Sequence, residues 1–247
     1  LHLLSRRQRQ MCIRDSLCTY SFDFTGNDKY FQANSFQPSQ DRPYVEKMVE
    51  YLQSDHQFLQ CSCEDQADLL EDSVKAHDLP AMADVDSSML YFCRIVSKQH
   101  KVVLTGECAD EVFGGYPWFH REEFLKGGTF PWTPTLDPRK NLLSKELREL
   151  LRMEEYVQDT YNRALMDITP LPEENETETN RRQIGYLNIR FFMQTLLTRM
   201  DRTSMYSGLE ARVPFADPKL VSYVYNIPWN MKAKDCLLYT SPSPRDS

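Results

Sequence analysis

Three short apolar runs in the first half of the chain are separated by stretches with helical periodicity. The runs predict strands, and they are LCTYSFDF (17–24), QFLQCS (57–62) and KVVLT (101–105). Strands that alternate with helices favour parallel pairing through right-handed crossovers, which gives an α/β sheet covered on both faces. Ligands of such sheets sit at the carboxyl ends of the strands, where Phe22 and the Thr105-Gly106 pair fall.

The predicted helices of this half carry start signals. Pro43 suits the first turn of one helix, and Ser62 can cap the next. The segment Asp-Ser-Ser (86–88) offers caps for a third helix, MLYFCRIVSK (89–98). This third helix is apolar on almost all sides, so we expect it to be buried.

The second half of the chain predicts helices only. Segment 142–166 is charged and amphipathic, and PLPEENETETN (170–180) predicts an acidic connector. A long helix then carries two neighbouring apolar stripes, namely Ile184, Leu187 and Phe191, and Tyr186, Ile189 and Met193. A helix with two apolar stripes is expected to pack on two sides.

Composition excludes several classes of protein. The formal net charge of −7 argues against a general nucleic-acid binder, and the sequence has neither an apolar run long enough to span a membrane nor a secretory signal. The seven cysteines are scattered and odd in number, which is typical of reduced thiols in the cytoplasm.

Both ends of the chain differ in character from the middle. Segments 1–16 and 236–247 lack periodicity, and each ends in Arg-Asp-Ser. They resemble translated sequencing-adapter read-through, so we predict that both are non-native; ordinary disordered tails are the alternative. The remaining segment, 17–235, divides by pattern into an α/β sheet part (17–128) and a helical part (129–235).

The segment KVVLTGECADEVFGGYPWF (101–119) carries three acidic residues directly after a predicted strand: Glu107, Asp110 and Glu111. One interpretation is a helix N-terminus, where acidic side chains satisfy backbone amides and the helix dipole. The other is a site for Mg²⁺ and a nucleotide, because Mg²⁺ prefers carboxylate and phosphate oxygens. Gly106 would let a ligand approach the backbone closely. Spacing alone leaves both interpretations open.

A second dense segment, LLTRMDRTSMYSGLEARVPFAD (196–217), interleaves charged and apolar residues. The pattern predicts partly buried ion pairs among Asp201, Arg202, Glu210 and Arg212, which would brace the site. Arg199 and Arg202 are also candidates for phosphate contact, since guanidinium groups match phosphate oxygens. Gly208 suits the position after a helix C-terminus.

The two dense segments together resemble one family. LTGECADEVFGGY (104–116) followed by DRTSMYSGLEARVPFAD (201–217) is similar to the synthetase domain of the glutamine-dependent asparagine synthetase family, and the resemblance covers essentially 17–235. It implies an α/β fold with a parallel sheet of the adenine-nucleotide α-hydrolase (PP-loop ATP pyrophosphatase) type, followed by a mainly helical C-terminal part. The first strand of that fold and its Ser-Gly-Gly-x-Asp-Ser pyrophosphate loop have no counterpart in this sequence.

The resemblance also implies roles for individual residues. Phe22 matches the residue whose backbone lies against the adenine of ATP, and Thr105 and Gly106 match a Ser-Gly pair that also contacts ATP. Glu107 matches the glutamate tied to formation of the β-aspartyl-AMP intermediate. Asp110 matches the aspartate expected to hold Mg²⁺ and pyrophosphate. Glu107 and Asp110 are therefore the predicted catalytic residues, and Glu111 is a supporting residue.

The sequence departs from the family pattern at a few positions. Thr105 replaces a serine and keeps the hydroxyl, and Ala216 replaces a leucine. Cys108 replaces a glycine, so a position that can require φ > 0 carries a side chain, which we expect to be tolerated. The glutaminase domain of the family, with its N-terminal cysteine nucleophile, is not matched by Cys12 or Cys18.

The implied reaction is ATP-dependent synthesis of L-asparagine from L-aspartate and ammonia derived from glutamine, with ATP and Mg²⁺ as cofactors. The implied partners are those small molecules and the glutaminase domain of the parent polypeptide, with no nucleic acid and no membrane; a homodimer is one option for assembly. We expect little or no synthetase activity from this chain alone, because one wall of the ATP site is missing. A β-lactam synthetase-like amidotransferase and a non-catalytic binding scaffold are the alternatives.

Overall fold

The computed structural model of the chain describes residues 17–33, 39–169, 171–172 and 174–232. Contacts divide these residues into two units, of which the first comprises 17–103 and 199–211 and the second comprises 104–198 and 212–232. The terminal segments predicted to be non-native lie outside the described residues. That prediction, and the predicted division of 17–235 at residue 128, stay predictions.

The first unit contains a two-stranded parallel sheet and the helices that follow its strands. Its elements up to residue 103 are β1 (Cys18–Phe24), α1 (Asn27–Tyr30), α2 (Arg42–Leu52), β2 (Asp55–Cys61), α3 (Cys63–Asp68), α4 (Leu70–His77) and α5 (Ala83–Val96), with the start of β3 (Val102–Leu104). The register of β1 and β2 runs from Cys18 opposite Asp55 to Phe24 opposite Cys61. The prediction of parallel strands joined by helices is confirmed for this pair.

The third predicted strand does not join that sheet. β3 instead pairs with β4 (Glu210–Arg212) in a separate two-stranded sheet. The Glu210 N–H donates to the Lys101 carbonyl at 2.8 Å, and the Thr105 N–H donates to the Arg212 carbonyl at 3.0 Å. The expectation of one three-stranded sheet was therefore wrong. β4 is too short and too charged to show strand periodicity, so no local pattern predicts this partner.

Local sequence signals predicted one helix start of this unit correctly and another one wrongly. Ser62 caps α3 in a capping box, in which its hydroxyl accepts the Asp65 N–H at 3.1 Å. The segment 86–88 does not cap a helix, because α5 begins at Ala83 and buries all three residues. The Ser88 hydroxyl donates to the Val85 carbonyl at 3.0 Å, so a serine inside the helix is satisfied by the preceding turn.

The core of the first unit confirms that α5 is buried. Cys93 and Val96 of α5 pack with Leu209, and side chains of both β1 and β2 complete the cluster through Tyr20 and Leu59. The apolar character of α5 on several sides therefore reflects contacts with the sheet and with the segment around Leu209.

The second unit is mainly helical. Its elements are α6 (Ala109–Phe113), a 3-10 turn (Pro117–Phe119), α7 (Glu122–Leu125), α8 (Asp137–Lys140), α9 (Lys145–Leu151), α10 (Met153–Met166), α11 (Glu176–Leu187), a π-helical segment (Asn188–Phe192), α12 (Met193–Tyr206), a second 3-10 turn (Pro214–Ala216), α13 (Pro218–Tyr225) and α14 (Trp229–Lys232). From Arg199 onward α12 belongs to the first unit. The segment 142–166, predicted to be helical, contains α9 and α10, which are divided at Arg152, whose φ is 46°.

The long helical stretch 176–206 packs on more than one side, as its two stripes predict. Ile184 packs with Trp118 and Phe119, and Leu187 packs with Phe130 and Ala164. The prediction of a connector over 170–180 is wrong for its second half, because Asn175 caps α11 in a capping box with Glu178. The acidic composition that resembled a linker is the acidic first turn of a helix.

No helix among the described residues combines the length and the apolar character that a membrane crossing requires.

Candidate active site

Backbone hydrogen bonds hold the acidic motif at the end of β3. The Thr105 N–H donates to the carbonyl of Arg212 in β4, and the Glu107 N–H donates to the Thr105 hydroxyl oxygen at 3.0 Å. Gly106 lies between these two anchors and is exposed. The loop therefore has a fixed backbone with an exposed glycine, which suits a close approach by a ligand.

Cys108 occupies the left-handed position at the start of α6. Its φ is 71°, and its side chain is only 1% exposed. The positive φ that the family glycine suggests is therefore present, and here it carries a buried side chain. Burial raises the pKa of the Cys108 thiol to about 12, and the nearby charges of Glu111 and Glu107 add to that shift. The thiol is therefore neutral at physiological pH and fills space.

Asp110 lies in the first turn of α6 and is bonded to the glycines that follow the helix. Its backbone carbonyl accepts the N–H groups of Gly114 and Gly115, at 2.9 and 3.0 Å. Its carboxylate lies against Gly115, where an added Cβ would come within 2.1 Å of Asp110 Oδ1. Gly115 therefore makes room for the position that the Asp110 carboxylate takes. The sequence pattern alone did not reveal this contact.

Glu111 faces away from solvent and is bound by Tyr116. The Glu111 side chain is 2% exposed, and the Tyr116 hydroxyl donates to Glu111 Oε1 at 2.5 Å. Burial raises the pKa of the Glu111 carboxyl, the Tyr116 hydrogen bond partly opposes this, and the charges of Asp110 and Glu107 raise it further. Tyr116 was also missed as a functional partner, although it directly follows the Gly-Gly pair in the sequence.

The three carboxylates lie within electrostatic reach of one another, as their effects on the Glu111 pKa show. A divalent cation would relieve this repulsion. Among the described residues no three side chains of the His, Cys, Asp or Glu types converge as a protein-only metal cage. Mg²⁺ commonly binds one or two carboxylates and takes its other ligands from substrate phosphates and water, so the half-buried Asp110 fits such a role.

Phe22 belongs to the first unit, whereas Thr105, Gly106, Glu107 and Asp110 share one loop and helix of the second. Phe22 lies opposite Leu59 in the β1–β2 ladder. Its ring is 45% exposed on the surface of that unit and stacks on Phe92 with 4.3 Å between ring centroids. The described structure thus brings four of the five predicted site residues together, and it places Phe22 on the parallel sheet.

The charged residues of the second motif are on the surface. Asp201, Arg202, Glu210 and Arg212 are all exposed, so the prediction that they are partly buried was wrong. Arg202 forms an exposed ion pair with Asp78 at 3.3 Å. The hydroxyl residues of the motif are buried instead, since Thr203 and Ser204 are almost inaccessible. Gly208 has φ 68°, which confirms its predicted role after the C-terminus of α12.

Comparison with known proteins bears on the same residues. The sequence profile of the family described as asparagine synthase matches residues 2–238 of the chain. The chain belongs to the asparagine synthase family. This membership, together with the parallel pair of strands, confirms the predicted α/β fold of the PP-loop type.

The relatives found are asparagine synthetases. The chain is 50% identical over 219 residues to "Asparagine synthetase [glutamine-hydrolyzing] 3" of Bacillus subtilis (strain 168), which is 89% of this chain and 35% of that protein. It is 36% identical over 78 residues to "Asparagine synthetase [glutamine-hydrolyzing] 1" of Arabidopsis thaliana, which is 30% of this chain and 13% of that protein. The chain therefore spans about a third of the length of the Bacillus relative.

Proposed function

We propose that the chain is the aspartate-activating part of an enzyme that makes L-asparagine from L-aspartate, ATP and ammonia released from glutamine. The observation that carries this proposal is the acidic loop and helix of 105–111, built on a β-strand end, in a chain of the asparagine synthase family. The names of the relatives support glutamine as the source of nitrogen. Reduced thiols, expected from the cysteine pattern, support the cytoplasm as the compartment.

The chemistry explains why ATP is needed. Ammonia does not displace an oxide ion from an aspartate carboxylate. In the proposed reaction a β-carboxylate oxygen attacks the α-phosphorus of ATP and pyrophosphate leaves, so the acyl group now carries AMP. Ammonia then attacks the acyl carbon, AMP departs with the C–O bond electrons, and the nitrogen loses a proton to give the amide.

The loop residues have distinct roles in this proposal. Thr105 and the exposed backbone of Gly106 contact ATP, and Phe22 contributes its strand backbone to the adenine side. Glu107 acts in forming the acyl-adenylate, and it then orients the attacking amine or accepts its proton, which is a general-base role. Its backbone N–H is held by the Thr105 hydroxyl, so the two residues are positioned together.

Asp110 is the proposed protein ligand of Mg²⁺. When bound, Mg²⁺ supplies Lewis-acid neutralisation of the charge on the leaving pyrophosphate. Asp110 itself is held through its carbonyl by the Gly114 and Gly115 amides, and its carboxylate is placed by the absence of a side chain at Gly115. Glu111 supports this arrangement from the buried face of α6 through Tyr116.

The test is isotope exchange between pyrophosphate and ATP in the full-length enzyme. We expect exchange that depends on aspartate, and we expect Glu107→Gln and Asp110→Asn each to lower its rate by about a hundredfold or more. Glu122→Gln, at an exposed glutamate paired with Lys126, is the matched control and should keep the rate. Full exchange in both site variants would exclude these residues from the activation of aspartate.

The identity of the acid is tested in the same assay. Exchange that requires an acid other than aspartate would support a β-lactam synthetase-like reaction. Absence of exchange with any acid, in a full-length protein that is folded, would support a binding scaffold. For the present chain alone we propose little or no asparagine formation.

A further inference from the structure

The second unit contains a cavity of about 460 Å³ next to α6. Its walls come from α6, α11, α13 and α14, and they include Glu111, Arg182 and Lys232. The residues proposed to contact ATP, the amine or Mg²⁺ do not line it, whereas Glu111 and Gly114, which support Asp110, do. The volume lies within the range of small-molecule sites, which is roughly 300–1,000 Å³.

One cationic group in the wall already has an acidic partner in the chain. Arg182 and Glu174 form an ion pair at 2.6 Å, and their side chains are only 10% and 13% exposed. The Arg182 guanidinium also lies over the ring of Tyr225, 5.1 Å from its centroid. Glu174 is therefore committed to Arg182 and is not the partner of a second cation.

A second cation of the lining is occupied by aromatic and backbone contacts. The Arg181 guanidinium lies 4.7 Å from the centroid of the Trp229 ring. Its Nε donates to the Phe119 carbonyl at 3.1 Å. Arg181 therefore holds α11 to α14 and to the 3-10 turn, and it shapes the wall of the cavity.

Lys232 differs from both arginines. It is half-buried, and its ammonium reaches the Tyr225 carbonyl at 3.4 Å but forms no ion pair with any described residue. Burial lowers the pKa of Lys232 to about 8, and the like charge of Arg182 adds to the shift. The ammonium has thus lost hydration and gained a repulsive neighbour. An anion in the cavity would offset both effects.

The acidic residues in the wall are bound elsewhere. Glu111 accepts the Tyr116 hydroxyl, and Glu178 belongs to the capping box of α11 with Asn175. Neither carboxylate contributes to the pKa shift of Lys232. The rest of the lining includes apolar side chains, among them Ile189, Ile227 and Pro228.

We propose that this cavity binds a small organic carboxylate, whose anionic group pairs with Lys232 and whose apolar body contacts the aliphatic part of the lining. The pairing gives Lys232 the counter-ion that the described residues do not supply. The apolar lining favours a carboxylate with a short hydrocarbon chain over a compact inorganic anion, which would leave that surface exposed to water.

The first test uses butyrate as the probe and the reactivity of Lys232 as the readout. The whole chain is treated with an acetylating N-hydroxysuccinimide ester near pH 7.5, and acetylation is followed for each lysine by peptide mass spectrometry. An amine with a pKa near 8 has about two-hundredfold more of the reactive neutral form at this pH than an ordinary lysine. We expect butyrate to slow acetylation of Lys232 and to leave the exposed Lys219 unaffected.

Matched probes separate the possible causes of protection. Butyramide has nearly the shape of butyrate without the charge, and inorganic phosphate has charge without the hydrocarbon chain. The proposal requires protection by butyrate that exceeds protection by either of the other two. Equal protection by butyramide would overturn the role of Lys232 as the counter-ion. Stronger protection by phosphate would overturn the assignment of a carboxylate.

The second test measures butyrate binding by calorimetry in variants. We expect Lys232→Met to weaken binding about tenfold or more, which corresponds to about 1.4 kcal/mol, and Lys232→Arg to retain most of it. Lys219→Met is the surface control, and circular dichroism establishes that each variant is folded. Undiminished butyrate binding by folded Lys232→Met would contradict the proposal. Because neither test uses ATP or aspartate, their result is separate from that of the proposed synthetase reaction.

Discussion

The carboxylate of Asp110 lies where a side chain at residue 115 would be: a Cβ on Gly115 would stand 2.1 Å from Asp110 Oδ1 and 2.9 Å from its Cγ. The two residues are also joined by a hydrogen bond from the Gly115 N–H to the Asp110 carbonyl at 3.0 Å. The second glycine of the Gly-Gly pair therefore permits the rotamer that the proposed metal ligand adopts.

Gly115→Ala should move the Asp110 carboxylate while leaving the fold almost intact, because the clashing atoms are at the end of a side chain that can rotate. In the full-length enzyme we expect aspartate-dependent pyrophosphate–ATP exchange to fall by about a hundredfold, as misplacement of a reacting group by about 1 Å can do. The change in unfolding free energy, measured on the chain with denaturant, should stay below about 1 kcal/mol. An unchanged exchange rate would contradict the positioning role of Gly115.

Gly114→Ala, in contrast to Gly115→Ala, should act mainly by lowering the stability of the fold. Gly114 has φ 81°, and an added Cβ would lie 2.3 Å from Cη2 of the Trp229 ring, which packs on Phe119. We expect a loss of about 2 kcal/mol or more of unfolding free energy from overpacking combined with left-handed strain. Gly128→Ala is the matched control, since Gly128 has φ 66° with no atom within 4 Å of the added Cβ. If the two variants lose equal stability, the Trp229 contact is not the cause.

Cys108 offers a direct measure of left-handed strain. Cys108→Gly removes a buried side chain at φ 71° but also removes the strain, whereas Cys108→Ala removes the sulfur and keeps the strain. We expect the glycine variant to be more stable than the alanine variant by about 1 kcal/mol, which reverses the usual helix preference. Denaturant unfolding of the two variants side by side measures this difference. An alanine variant more stable than the glycine variant would show that the position is not strained.

Glu111 should make the stability of the chain depend on pH. The pKa of its buried carboxyl is raised above the ordinary value of 4.5, so the native state binds more protons than the unfolded state above that pH. The contribution of Glu111 to stability is therefore complete below pH 4.5 and is lost as the pH rises through the raised pKa. Glu111→Gln removes this dependence, and its stability relative to the parent chain should increase over that window.

Unfolding free energies measured at several pH values from 4.5 upward test this expectation. The control is Glu149→Gln, at an exposed glutamate 4.0 Å from Lys145. Parallel stability curves for the parent chain and Glu111→Gln would mean that the carboxyl is not perturbed by its burial.

Local signals predicted the parts of the fold that depend on neighbours in sequence. The runs at 17–24 and 57–62 form β1 and β2, and Ser62 caps α3 as its position suggests. The proposed site residues within 105–110 could be predicted because their chemistry and their order are both visible in the sequence. The segment 86–88 shows where such signals fail, since serine and aspartate also occur inside a helix when their side chains are satisfied there or lie against the core.

The sequence by itself determined the family, the order of strands and helices around the acidic motif, and the left-handed position that Cys108 occupies. Only the tertiary structure decided that β3 pairs with β4, that Gly115 makes room for Asp110, and that Lys232 lines a cavity beside Arg182. The physical reason is that these features arise from residues distant along the chain or from the exact course of the backbone. Periodicity and spacing record only the preferences of neighbouring residues.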